Sequence, residues 1–245
     1  MRERQVVCAV RKELWTAADP VRALLLAKYF KTGPGQYGHG DLFIGITVPL
    51  LRRIAKQHAK NAEQQDIRQL VASPYHEERL VGLLLLVQMA SCREMLEPAA
   101  RLYLTIRERV NNWDLVDLSA PKILGAYLAD KNDRSVLYDL ARSKVVWDRR
   151  IAIISTFYLI RNSDFADALK ISRMLLTDEH DLIHKAVGWT LREIGKRDSN
   201  LLESFILENY SKIPRTTLRY AIERFSNDKR LYLLQLKASG AMRKM

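Results

Sequence analysis

A chain of 245 residues with 48% apolar side chains has the length and the material to bury a sizeable core. Its 40 Lys plus Arg against 28 Asp plus Glu leave a formal charge of +12, so polyanions lead as partners, nucleic acid first and anionic membrane second. The longest apolar run, LVGLLLLVQMA at 80–90, is about half of the roughly 18 residues a membrane span needs, and no membrane association is expected.

Along the chain, MRERQVVCAVRKELW carries charges where an export signal would need an apolar core, which places the protein in the cytoplasm. Cys8 and Cys92 lie far apart and fit a reducing compartment, as packing residues and not as a disulfide framework. DPVRALLLAKYF reads as a helix carrying Tyr29, with Lys31 just beyond it. The loop KTGPGQYGHGD at 31–41 follows, and in it Gly33, Gly35 and Gly38 have the GxGxxG spacing of a dinucleotide-binding turn. That fingerprint requires a strand before the loop and a placed acid about 20 residues later. Here a helix precedes the loop and Glu63 has no strand to place it, so no nucleotide cofactor is expected. The loop reads as a flexible connection whose backbone and Tyr37 approach a phosphate. DLFIGITVP is a second irregular stretch before the next helix.

Beyond it, longer helices begin at Tyr75, Trp113, Trp147, Asp181 and Pro214, at successive offsets of 38, 34, 34 and 33 residues. Shorter helices at 94–107, 133–143, 165–176 and 198–210 fall between them, and no stretch alternates as a strand. Stacked helix pairs at such a period cannot bury their apolar faces alone and must pack on their neighbours. The expected architecture is therefore all-α: a single domain over 1–245, a right-handed α-solenoid of HEAT-like helix pairs with a concave basic groove. A scaffold that binds another protein in that groove is one reading of such an array.

About four positions into each longer helix stand Arg79, Asp117, Arg150, Lys185 and Arg219. If they share a surface they form a basic track for phosphates, with Asp117 as its one acid. Asp117 either pairs with Arg150 of the next repeat or has work of its own. Trp113 lies four residues before it and faces the same way, beside the stripe Val116, Ala120, Ile123 and Tyr127. On the helix at 181–196, Ile183, Val187, Leu191 and Ile194 form the apolar stripe, while Lys185, Trp189, Arg192 and Lys196 fall on the other side. A tryptophan there either packs on a neighbouring helix or faces a groove for nucleic acid or for a cationic group. His180 and His184 are spaced for a shared ligand but lack a third, so no metal site is expected. His39 and His76 read as a loop residue and a helix-surface residue. Ser119 and Ser155 have no visible catalytic partners.

The sequence resembles the AlkD family of DNA alkylation repair glycosylases in FIGITVPLLRRIAK at 43–56, NWDLVDLSAPKILG at 112–125, WDRRIAI at 147–153 and IHKAVGWTLREIGK at 183–196. The family's HEAT-like fold agrees with the helix offsets. The resemblance implies a monomeric enzyme, without metal or cofactor, that excises 3-methyladenine and 7-methylguanine from duplex DNA in base excision repair while the lesion stays stacked. It puts the catalytic carboxylate at Asp117, its flanking tryptophans at Trp113 and Trp189, the active-site arginine at Arg150 and a further aromatic at Tyr29. Lys31, Arg79, Arg149, Lys185, Arg192 and Arg219 are then expected on the DNA with Tyr29, and the protein on the nucleoid when bound. Asn112 stands where some members have a second tryptophan, and the glycine-rich loop is longer than in some members.

Glycoside hydrolysis usually takes two carboxyl groups, one of them to protonate the leaving group. A cationic alkylpurine leaves as a neutral base and needs no general acid, so one ionised carboxylate can stabilise the charge that develops on the sugar. Asp114 has no role assigned by its spacing. The rivals are a non-catalytic AlkD-like binder of damaged or branched DNA and a HEAT adaptor for an acidic protein. Salt-dependent DNA binding separates the adaptor from the others, and base release separates the enzyme from the binder.

Overall fold

In the computed structural model, residues 5–236 are described. Residues 1–4, part of the charged N-terminal stretch read against an export signal, lie outside the described residues. Among the described residues the chain is all-α, and its one extended pairing is an isolated bridge between Leu42 and Tyr75. No helix among them is long and apolar enough to cross a membrane. The chain packs as two compact units, Met1–Lys131 and Asn132–Met245.

The first unit contains α1 (Gln5–Thr16), α2 (Pro20–Tyr29), α3 (Val48–His58), α4 (Gln64–Val71), α5 (His76–Ala90), α6 (Arg93–Ile106), α7 (Trp113–Ala120) and the short α8 (Ala126–Leu128). Local signals fix the starts. Asp19 accepts the Arg22 N–H ahead of Pro20 at the first turn of α2, and Glu63 with Asp66 forms a capping box at α4. α5 is the centre, packed by α3, α4, α6 and α7. It buries Leu80, Val81, Leu83, Leu84, Leu85 and Leu86, each worth roughly 1.5–3 kcal/mol when fully removed from water. α7 does not end cleanly. Pro121 has no N–H for the carbonyl of Asp117 four residues earlier, and the rod passes through a π turn at Pro121–Gly125 into α8.

The second unit contains α9 (Ser135–Ala141), α10 (Val146–Arg161), α11 (Ala166–Leu175), α12 (Asp181–Gly195), α13 (Ser199–Asn209), α14 (Arg215–Ala221) and α15 (Asn227–Gln235). α10 packs on α9, α11 and α12, and α12 also packs on α11, α13 and α14. The predicted stripe Ile183, Val187, Leu191 and Ile194 is fully buried. Every longer helix begins within one residue of its predicted start.

Three of these helices begin with the same joint. Before α5, Ser73 Oγ accepts the Tyr75 N–H at 3.1 Å, and Arg79 Nη1 donates to the carbonyls of Ser73 and Pro74, each at 3.1 Å. Before α10, Ser143 Oγ accepts the Val145 N–H at 3.1 Å, and Arg149 Nη1 donates to Ser143 and Lys144 at 2.9 and 3.0 Å. Before α12, Asp178 accepts the His180 N–H at 2.9 Å, and His184 Nε2 bonds the Asp178 carbonyl. In each case a side chain on the fourth helical residue grips the carbonyl three residues before the helix. Arg79, Arg149 and His184 are therefore equivalent, whereas Asp117, Arg150, Lys185 and Arg219 sit one residue further on, where α5 has Leu80.

Candidate functional site

Around α7 the first unit assembles rings and charges. Asn112 caps the helix by accepting the Trp113 N–H at 2.8 Å. The Trp113 ring stacks on Phe30 at 5.2 Å between centroids and meets Tyr29 edge-on at 6.1 Å. Tyr29 is exposed at the end of α2, whose outer face also exposes Val21, Leu24 and Leu25. Asp117 is half-buried one helical turn after Trp113. Phe30 and Phe43 continue the stack inward to His76, at 5.0 and 4.7 Å.

Below the rings lies a buried charge network. His76 Nε2 is 2.8 Å from Asp114 Oδ2, and its Nδ1 is 3.3 Å from Asp41 Oδ2. Arg79 Nη2 is 2.7 Å from Asp41 Oδ1, and the amides of Asn111 and Asn112 each donate to Asp41 at 3.4 Å. Burial alone would lower the His76 pKa, but the charge and hydrogen bond of Asp114, with the bond to Asp41, raise it to about 9. Burial likewise opposes ionisation of Asp41, and the His76 hydrogen bond with the Arg79 charge still holds its carboxyl below the usual range. Glu77 accepts the N–H groups of Ile44, Gly45 and Ile46 at 2.9, 2.8 and 3.2 Å, which fastens FIGI to the head of α5.

The glycine-rich loop is tied at both ends. Gly38 N–H donates to the Lys31 carbonyl at 3.1 Å, and Asp41 anchors the far end in the core. A Cβ at Gly38 would lie 2.3 Å from the Phe30 carbonyl oxygen, and one at Gly45, whose φ is +95°, would lie 2.1 Å from that of Asp19. Close backbone approach therefore requires glycine at 38 and 45. Lys31 is exposed, with its Nζ 5.9 Å from the Tyr37 ring.

In the second unit α12 presents Lys185, Trp189 and Arg192 along one partly exposed face. Trp189 packs edge-on against Phe157 at 4.7 Å and donates from Nε1 to Glu193 at 3.1 Å. Lys185 pairs with Asp181 at 2.7 Å, and Arg192 pairs with Glu223. Arg149 is committed to its joint and to Asp178 at 2.5 Å. Arg150 is buried at the head of α10 and donates from Nη1 to the Leu182 carbonyl at 2.7 Å. Arg219 is exposed on α14.

Three expectations are corrected. Arg79 is 1% exposed, so it holds a loop and a carboxylate and presents no charge to a phosphate. His76 is 2% exposed and lies in the core, not on a helix surface. Cys8 and Cys92 are exposed, not packing residues. The sequence reading missed Asp41 and left Asp114 without a role. A signal was present in HEER at 76–79, four charged or titratable residues leading directly into an apolar run.

The family profile described as DNA alkylation repair enzyme matches residues 10–225. A solved structure described as a predicted DNA alkylation repair enzyme from Enterococcus faecalis superposes with a TM-score of 0.67 at 20% identity. That match covers 86% of this chain and 97% of the other, and it establishes likeness of fold. A search of curated proteins finds no match.

Proposed function

Because the chain belongs to the family of DNA alkylation repair enzymes, we propose that it is a monofunctional glycosylase that releases cationic alkylated purines, 3-methyladenine and 7-methylguanine, from duplex DNA. The observation that carries this reading is the pairing of Trp113 and Asp117 on one face of α7, with Tyr29 against the tryptophan.

Asp41 is bonded to His76 and Arg79, and Asp114 to His76, while Asp117 lies on the face of α7 that carries Trp113. An alkylated purine is cationic in its ground state and departs neutral, so proton donation to the base is unnecessary. Positive charge then moves onto the deoxyribose. Asp117 stabilises that charge and orients the attacking water, in a setting partly shielded from solvent where a fixed carboxylate acts more strongly than in bulk water. The π face of Trp113 favours the same cation by roughly 0.5–2 kcal/mol. On the second unit, Trp189 offers a further aromatic face to the DNA, and Arg150, which donates to the Leu182 carbonyl, holds the head of α10 to the start of α12. Lys185, Arg192 and Arg219 contribute to the counterion release that drives binding, and Lys31 does so from the first unit. With these contacts on sugar and phosphate, excision proceeds while the base remains stacked.

The test is single-turnover release of 7-methylguanine from a methylated duplex. Asp117→Asn is expected to lower the rate by at least 100-fold, the usual scale for removing an electrostatic stabiliser, and to leave DNA affinity within about threefold. Unchanged release by that variant would remove Asp117 from the chemistry. Wild-type protein that binds duplex DNA but releases no base would identify a structural DNA binder instead.

A further inference from the structure

His76 lies two rings inward from the proposed site, and its surroundings connect it to Trp113 by two routes. The first is polar. Asp114, the residue after Trp113, takes His76 Nε2 on one oxygen at 2.8 Å and its neighbour's backbone N–H, from Leu115, on the other at 2.8 Å. The second is aromatic, since Phe30 lies against the His76 ring at 5.0 Å and against the Trp113 ring at 5.2 Å. Both ring nitrogens of His76 face carboxylate oxygens, which accept and cannot donate when ionised, so the ring donates from both and carries a positive charge. The charged and titratable groups facing it are Asp41 from the glycine-rich loop, Asp114 from α7 and Arg79 on its own helix, with Arg109 beyond Arg79. His76 and Arg79 balance Asp41 and Asp114, so the cluster is neutral only while the imidazole is charged.

We propose that His76 is a positioning residue: an imidazolium bridge between Asp41 and Asp114 that fixes the first turn of α7, and through it the angle of the Trp113 ring against the proposed substrate. The bridge joins the glycine-rich loop to α7, so discharge of His76 releases both and lets the Phe30–Trp113 stack loosen. The rate readout of this inference rests on the base-release reading above. The ring-order readout does not.

The experiment uses the full chain labelled with 15N at tryptophan indoles, with the Trp113 resonance assigned by substitution. Wild-type Trp113 should give one sharp resonance that shifts between pH 8 and 10 with the His76 titration at about 9. In His76→Gln that pH-dependent shift should vanish and the resonance should broaden or split. Single-turnover base release at pH 7.5 should fall at least 10-fold in the variant, while DNA affinity stays within about twofold. A Trp113 resonance that is identical in variant and wild type and flat from pH 7 to 10 would overturn the proposal. Should His76→Gln fail to fold, the wild-type pH titration decides. Absence of base release by wild type would sink the glycosylase reading and leave the Trp113 resonance to judge His76.

Discussion

The heads of α5 and α10 share one joint and differ in what surrounds it. Each has a serine three residues before the helix that accepts a backbone N–H, and an arginine on the fourth helical residue that clamps the carbonyls behind it. At α5 the arginine side chain is 2% exposed and its counter-charge Asp41 4%, with His76 as a second cation. At α10 the arginine is 18% exposed, its counter-charge is Asp178, and the position of His76 is held by Val146. The shared part closes a loop onto a helix wherever this fold needs it. The part that differs, a histidine between two carboxylates under a tryptophan, is what the joint alone does not require.

The largest expected difference comes from breaking each clamp. Arg79→Met takes from Asp41 the closer of its two buried cations and should cost about 3–5 kcal/mol, the range for removing one member of a buried pair. Arg149→Met removes an arginine that is itself partly exposed, from a carboxylate that keeps the His180 N–H, and should cost about 2 kcal/mol, as for lost hydrogen bonds to a charged group. Urea denaturation of the two variants measures both, and equal losses would mean that the two heads are alike in energy as well as geometry.

A smaller contrast is chemical. The folded-state pKa of His76 is raised above its unfolded value, so its stabilisation is complete below about 6.5 and disappears as pH rises through about 9. At about 1.4 kcal/mol per pKa unit, that is roughly 3 kcal/mol at most. Unfolding free energies from pH 6 to 9.5 should decline in wild type and lose this component in His76→Gln. Parallel curves would show that the imidazolium contributes nothing there. The smallest effect is expected from Ser73→Ala, which removes one turn-closing acceptor worth about 1 kcal/mol. Ser143→Ala removes the same acceptor and also the Ser143 Oγ donation to Asp148 at 2.8 Å, so it should cost more in thermal unfolding, and equal losses would mean that this second bond adds nothing.

Helix positions were legible in the sequence because their signals are local. Asn112 before Trp113, Asp178 before α12 and Pro214 before α14 mark starts whatever packs on them. Burial of charge was not, because it depends on partners far along the chain. Arg79 looked like Arg150 and Arg219 because all three are basic near a helix start. Its setting is decided by Asp41, 38 residues earlier, and by the four helices around α5. A slip of one residue is also a turn of about 100° around a helix. Aligning Arg79 with Arg150 instead of Arg149 therefore merged the row that clamps the preceding loop with the row that contains Asp117. For the candidate site, the tryptophans, Asp117 and Tyr29 are proposed through resemblance, whereas the support beneath Trp113 emerged only when the loop at 41 and the head of α7 were brought together.

The π turn at Pro121–Gly125 makes α7 a natural place for length variation. A π turn is an α-helix carrying one surplus residue, so removing a residue from this segment would restore the α register. Because the wide turn absorbs that residue locally, the faces before it, Trp113 and Asp117 included, would keep their phase relative to α8. A one-residue deletion there should therefore keep both helicity by circular dichroism and base release, whereas a one-residue deletion within the α-helical turn between Asp117 and Pro121 should turn the Asp117 face by about 100° and abolish release. Retained release after the second deletion would show that the register of this rod does not govern the site.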